Sequence, residues 1–215
     1  MNWILANTSI LAARLVDHLV LSVPPILLSF LIAVPIARFA VRSRRLRTPI
    51  TLGSALFYAL PSLPLFIVLP LITGIPLRSQ VNVIIALTLY GLALLIPVAA
   101  DAFSAVDRDT IRSATAQGYA PLHRIVAVEL PLAGPALLAG LRVVTVSTVS
   151  LATVGAVLGV PSLGSLFTDG FQRALMPSIL AGIVLTALLA LVLDQLLVLI
   201  GRIAMPWQKK AGVRA

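Results

Sequence analysis

Apolar residues in this chain do not alternate with polar ones; they run in long unbroken tracts. Residues 19–37, 48–77, 79–100, 143–168 and 174–193 contain no Asp, Glu, Lys or Arg. Each tract reaches or approaches the roughly 20 residues that cross a ~30 Å hydrocarbon core as a helix. A helix at a protein–water boundary shows an apolar stripe backed by a polar face, whereas these tracts are apolar on every side. The pattern predicts an all-α polytopic membrane protein with five spans, at about 18–40, 50–74, 80–101, 131–157 and 174–200, forming a single domain over 1–215.

Prolines punctuate this pattern. Pro24, Pro25 and Pro35 fall in the first span, Pro61, Pro64 and Pro70 in the second, Pro97 in the third, and Pro131 and Pro135 at the start of the fourth. They are expected to kink the spans, which membrane helices tolerate where neighbours or water satisfy the freed carbonyls. Residues 1–17 read as a short, partly amphipathic lead-in, with Asp17 and His18 at the membrane edge. No basic stretch precedes an apolar core there, so the first span is expected to be its own insertion signal.

The segment from about 102 to 131 breaks the apolar pattern with Asp107, Arg108, Asp109, Arg112, His123, Arg124 and Glu129. Gly118 and Pro121 predict a short helix to about Gln117, a turn, and a second helix running into the membrane. This is the natural docking place for a soluble partner, the alternative being a solvated hairpin without one.

Composition agrees with a lipid solvent, since 60% of the 215 residues are hydrophobic and only 11% are charged, with a mean hydropathy of +1.08. The net charge of +9 invites a nucleic-acid reading, but its placement argues against one. Arg42, Arg44, Arg45, Arg47, Arg108, Arg112, Arg124, Arg202, Lys209, Lys210 and Arg214 make eleven of the sixteen basic residues. All eleven fall on one side if five spans alternate. The other side has Arg14, Arg78 and Arg173, while Arg38 and Arg142 sit at span ends. This positive-inside asymmetry predicts an inner-membrane protein with its N-terminus out and its C-terminus in the cytoplasm.

Candidate chemistry is sparse. The chain has no cysteine, which removes disulfide and thiolate chemistry. The seven carboxylates are scattered, and His18 and His123 fall on opposite sides, so neither a catalytic triad nor a metal site is expected. No Gly-rich loop ends in Lys-Ser or Lys-Thr, so any ATP-driven step needs another subunit.

The segment Ile111-Arg-Ser-Ala-Thr-Ala-Gln-Gly118, with Val128-Glu-Leu-Pro-Leu132 and Gly140-Leu-Arg142, resembles the cytoplasmic signature of binding-protein-dependent ABC importer permeases. His18-Leu-Val-Leu-Ser22, Leu60-Pro-Ser-Leu63 and Gly159-Val-Pro-Ser-Leu-Gly164 resemble the osmoprotectant branch, which imports glycine betaine, carnitine, choline or proline betaine. The resemblance covers about 15–205 and implies a methionine-importer-like core. It also implies a second permease copy or a sister permease, ABC ATPase subunits carrying ATP and Mg, and an extracytoplasmic substrate-binding protein. No cofactor is implied for this chain. Arg112, Ser113, Ala114, Gly118, Tyr119 and Pro121 fall where the family couples to its ATPase. Arg112 stands where the family usually has Glu, and Ser113 where it has the first Ala.

Two further sets of residues are candidates. Thr145, Thr148 and Thr153 of the fourth span, with Ser62 of the second, are expected to line a polar route or else to hydrogen-bond between helices. Glu129, Arg142 and Asp194 are candidate gate residues or interfacial anchors, and Glu129 is a possible partner for Arg142. Aromatic residues make up only 6% of the chain, with no cluster at the spacing of a cation–π cage. Selectivity is therefore expected to reside in the binding protein. Rival readings are the same architecture carrying methionine or another amino acid, and an ATP-independent secondary transporter.

Overall fold

The computed structural model describes residues 2–207. Lys209, Lys210 and Arg214 of the orientation argument lie outside the described residues. The described residues are almost entirely helical. A short helix α1 (Asn2–Ala6) leads into α2 (Thr8–Val41), then α3 (Arg44–Tyr58) and α4 (Ser62–Thr73). They are followed by α5 (Gln80–Ser104), α6 (Arg108–Ala116) and α7 (Pro121–Arg124). A π turn (Ile125–Glu129) joins α7 to α8 (Leu130–Ala152), and a 3-10 turn (Thr153–Leu158) ends that run. The chain closes with α9 (Ser165–Gln172) and α10 (Met176–Ala204).

Helices α2, α5 and α8 form the core, with α3 and α4 against α5 and α10 against α8 and α9. Leu21, Phe66, Val83 and Leu87 fill one end, Ala33, Leu95 and Val144 the middle, and Ala37, Ala99, Phe103 and Leu137 the other end. With hydrocarbon outside, close packing of small residues is what favours helix contact over lipid contact. At Gly91 a Cβ would lie 2.6 Å from that of Ser29, so α2 and α5 approach as closely as they do only because the residue is Gly. Helix α10 stays on the rim, where Leu180, Ile183, Val184, Leu188 and Leu191 are exposed.

Four of the described helical runs are long and apolar enough to cross a membrane, and five if α3 and α4 count as one span. The predicted second span is not a single rod, because α3 and α4 meet at an angle of 109°. Pro61 explains the break. It has no N–H to donate and disfavours the α conformation at Leu60, and it sits extended at ψ 136° before α4 starts. By contrast, α2 runs as one helix through Pro24, Pro25 and Pro35.

The predicted lead-in is likewise continuous with the first span. Arg14 and Asp17 pair one turn apart at 3.3 Å, and His18 is fully buried within the protein. The His18 Nδ1 accepts from the Leu163 N–H at 3.3 Å, so its Nε2 donates to the Val149 carbonyl at 3.0 Å. A neutral imidazole thus fastens α2 to α8 and to the loop before α9.

Candidate functional site

The arginine-rich end of the bundle is built around Glu129, which is only 2% exposed. Pro131 explains how it gets there. The proline ring clashes with the carbonyl four residues back, which opens the helix ladder into the π turn that carries Glu129 inward. Its carboxylate Oε1 accepts from Arg38 Nη2 at 2.9 Å and from Arg124 Nε at 3.1 Å. Arg124 also donates from Nη1 to the Thr115 hydroxyl of α6 at 2.8 Å. One buried carboxylate therefore links the end of α2, the start of the α7–α8 run and, through Arg124, the outlying helix α6.

Helix α6 lies outside the bundle with its polar face exposed. Asp107 caps its start by accepting from the Asp109 and Thr110 N–H groups at 3.3 and 3.2 Å. Those two donors hold the Asp107 carboxyl below its usual value. Ala114 is buried, and Ile111 packs against the apolar cluster that includes Phe103, Val106 and Leu137. Arg112 and Ser113 point to solvent, and Arg112 holds Asp109 at 3.0 Å.

The helix ends in a complete Schellman closure. Tyr119 N–H donates to the Ala114 carbonyl and Gly118 N–H to that of Thr115, with Gly118 left-handed at φ +85°. Tyr119 stacks on His123, with ring centroids 5.0 Å apart, and Pro121 opens α7. Beside α6, a cavity of about 650 Å³ opens between the ends of α2, α3 and α5. Arg38, Arg42, Arg47 and Arg108 line it, with Glu129 as the acid among its lining residues.

Arg142 does not meet Glu129. It reaches across to α10, where Nε and Nη2 donate to the two oxygens of Asp194 at 2.6 and 2.8 Å. The two residues lie on neighbouring helices, whereas Glu129 is thirteen positions back along the same run and already held by two other arginines. The pair borders an open groove of about 450 Å³ with Ala139, Val143, Val146 and Ser147.

The hydroxyl set divides as well. Thr145 and Thr148 are 1% and 3% exposed, on the stripe of α8 that also buries Leu137, Leu141, Val144, Val149 and Ala152. Within this chain they are packing residues, and Thr145 donates to the carbonyl of Leu141, one turn back in its own helix. The open side of α8 carries Ala139, Val143, Val146, Ser147 and Ser150 instead. Thr153 is half-buried and donates to the Ser150 carbonyl at 2.7 Å. Ser62 is half-buried in the first turn of α4. Sequence reading missed Arg38 and Arg124 as partners of Glu129. The available signal was one buried-span acid near two arginines at span ends.

Comparison with known proteins places this geometry. The osmoprotectant import permease protein OsmW of Salmonella typhimurium is 30% identical over 200 residues, covering 91% of this chain and 92% of that protein. The glycine betaine/carnitine/choline transport system permease protein OpuCD of Bacillus subtilis is 28% identical over 196 residues, covering 91% and 84%. An inward-facing structure of the MetNI methionine ABC transporter shares the fold at a TM-score of 0.77 and 17% identity, over 89% of this chain and 94% of its own. Residues 25–203 match the binding-protein-dependent transport system inner membrane component family, and the chain belongs to that family of transport permeases.

Proposed function

We propose that this chain is the membrane subunit through which an ABC importer brings osmoprotectants such as glycine betaine, choline, carnitine or proline betaine into the cytoplasm. The full-length similarity to OsmW and OpuCD supports this cargo class. The observation that carries the coupling role is the Arg38–Glu129–Arg124–Thr115 chain of contacts. It ties the exposed helix α6 to two membrane-spanning elements, so a push on α6 reaches the bundle without passing through a loose loop. Arg112, Ser113, Gly118, Tyr119 and Pro121 form the surface that meets a separate ATPase, where ATP and Mg are bound. The basic cavity beside α6 offers counter-charge to acidic groups on that partner. This chain forms the pore with a second permease copy or a sister permease, and an extracytoplasmic binding protein delivers solute to it.

The same reading sets the N-terminus outside and the arginine-rich end in the cytoplasm. Because the described residues hold no cysteine, single introduced cysteines report orientation cleanly. One at Ser43 is expected to react only from the cytoplasmic side and one at Ser79 only from outside. Labelling of Ser43→Cys in intact cells by an impermeant reagent reverses the orientation. For the transport role, the reconstituted complex is expected to take up labelled glycine betaine only with the binding protein and ATP present. Uptake by this chain alone, driven by an ion gradient, would assign it to a different transport class.

A further inference from the structure

We propose that Arg142 is the carboxylate-recognising residue of the translocation path, oriented by Asp194 so that its outer N–H edge meets a passing zwitterion. This assignment rests on the osmoprotectant reading above. At about 1.5 Å per residue, Arg142 stands roughly 20 Å along the helix from Glu129, in the middle of α8 (Leu130–Ala152) and not at the span end expected from the charge pattern. The Arg142 side chain is nevertheless 42% exposed, against 14% for Asp194. Charged side chains within spans face a bundle interior or a water-filled cavity rather than hydrocarbon. This pair faces out of its own chain, so the open side of α8 is not a lipid face.

The two rims of the bundle differ accordingly. The outer side of α10 presents Leu180, Val184, Leu188 and Leu191, which suits acyl chains. The open side of α8 presents Ala136, Ala139, Arg142, Ser147 and Ser150 among its valines. Small and hydroxyl residues of this kind suit a hydrated route with a second copy of the chain across it.

The donor geometry selects the ligand. A guanidinium carries five N–H donors, and Asp194 engages only Nε and Nη2. The remaining donors are not bonded to Asp194, and the residue that carries them lines the 450 Å³ groove. Those free donors are cationic, so the end of the solute they select is the carboxylate. Asp194 keeps the site neutral overall, which lets the solute leave again. It acts as a positioning residue, recessed behind the guanidinium.

The test uses the full complex in nanodiscs, with its ATPase and binding protein. Ser147→Cys reports on the groove without touching the pair. It is expected to react with a charged methanethiosulfonate reagent, and glycine betaine is expected to slow that reaction while choline, which lacks a carboxylate, does not. Leu188→Cys on α10 is expected to stay unreactive. Arg142→Gln is expected to lower glycine betaine uptake by about tenfold or more, the scale of one lost charged hydrogen bond. Arg142→Lys should restore part of it, with ATPase assembly intact throughout. An unreactive Ser147→Cys, equal protection by choline, or unchanged uptake in Arg142→Gln overturns the assignment. A wild-type complex that carries no glycine betaine sinks the osmoprotectant reading itself. Normal wild-type uptake with an unprotected groove sinks only the role of Arg142.

Discussion

Glu129 and Asp194 both accept from arginine, but their surroundings differ. Glu129, only 2% exposed on the wall of the basic cavity, is held between Arg38 and Arg124, which come from different elements. Among the described residues Asp194 pairs with one arginine, Arg142, whose side chain is 42% exposed. A buried charge with two partners behaves as a fixed joint, because losing any member strands the others away from water. A charge pair at an open groove can exchange one partner for water or solute. On the reading proposed above, the same chemistry serves once for transmission and once for contact with cargo.

The sharpest way to break this comparison is to neutralise each carboxylate in turn. Glu129→Gln leaves two largely buried guanidinium groups uncompensated and is expected to destabilise the chain by on the order of 3 kcal/mol. Asp194→Asn should cost clearly less, since water in the groove can solvate Arg142. Thermal unfolding of the two purified variants decides it, and equal losses would mean the centres do not differ.

A smaller effect is expected at the turn that presents α6. A Cβ at the left-handed Gly118 adds roughly 1–2 kcal/mol of local strain, enough to tilt a docked helix without unfolding the bundle. Gly118→Val should insert and express normally yet bind the ATPase less well and transport more slowly. Full transport with normal ATPase binding would make this loop a mere connector.

The smallest effect is a pH dependence at Asp107. Its carboxyl is held below the usual 3.8 by the N–H groups it caps. A group with a depressed folded pKa lends stability above its unfolded value and withdraws it as pH falls through the folded one. The start of α6 should therefore fray only below about pH 4, and Asp107→Asn should remove that acid sensitivity. Hydrogen exchange at Asp109 and Thr110 across pH 3–6 measures it.

How far the sequence alone reaches follows from the range of each interaction. Unbroken apolar tracts mark the spans because exclusion from lipid acts on every residue in them. The turn at Gly118 is equally legible, since left-handed geometry is a local property. The bend at Pro61 is only half legible: proline announces a break, but the 109° angle depends on how α3 and α4 each pack on α5. The role of His18 as a tie between helices is not legible because its two backbone partners, Val149 and Leu163, lie more than a hundred positions away. Arg142 reads as a partner for Glu129 for the same reason, as Asp194 is 52 positions distant. Thr145 and Thr148 are buried within this chain by helical phase, which their density along one helix does not announce.

The break at Pro61 also bears on the order in which the protein is made. The carbonyl freed at Leu60 is taken by the hydroxyl of Tyr90, and Asn82 secures the carbonyls of Phe66 and Leu77. Both donors belong to α5, which leaves the ribosome after the bent pair has already emerged. An unsatisfied carbonyl is costly in hydrocarbon, so α3 and α4 cannot settle into their final bend in the membrane on their own. Their insertion is provisional until the next span arrives with Tyr90 and Asn82 to complete it.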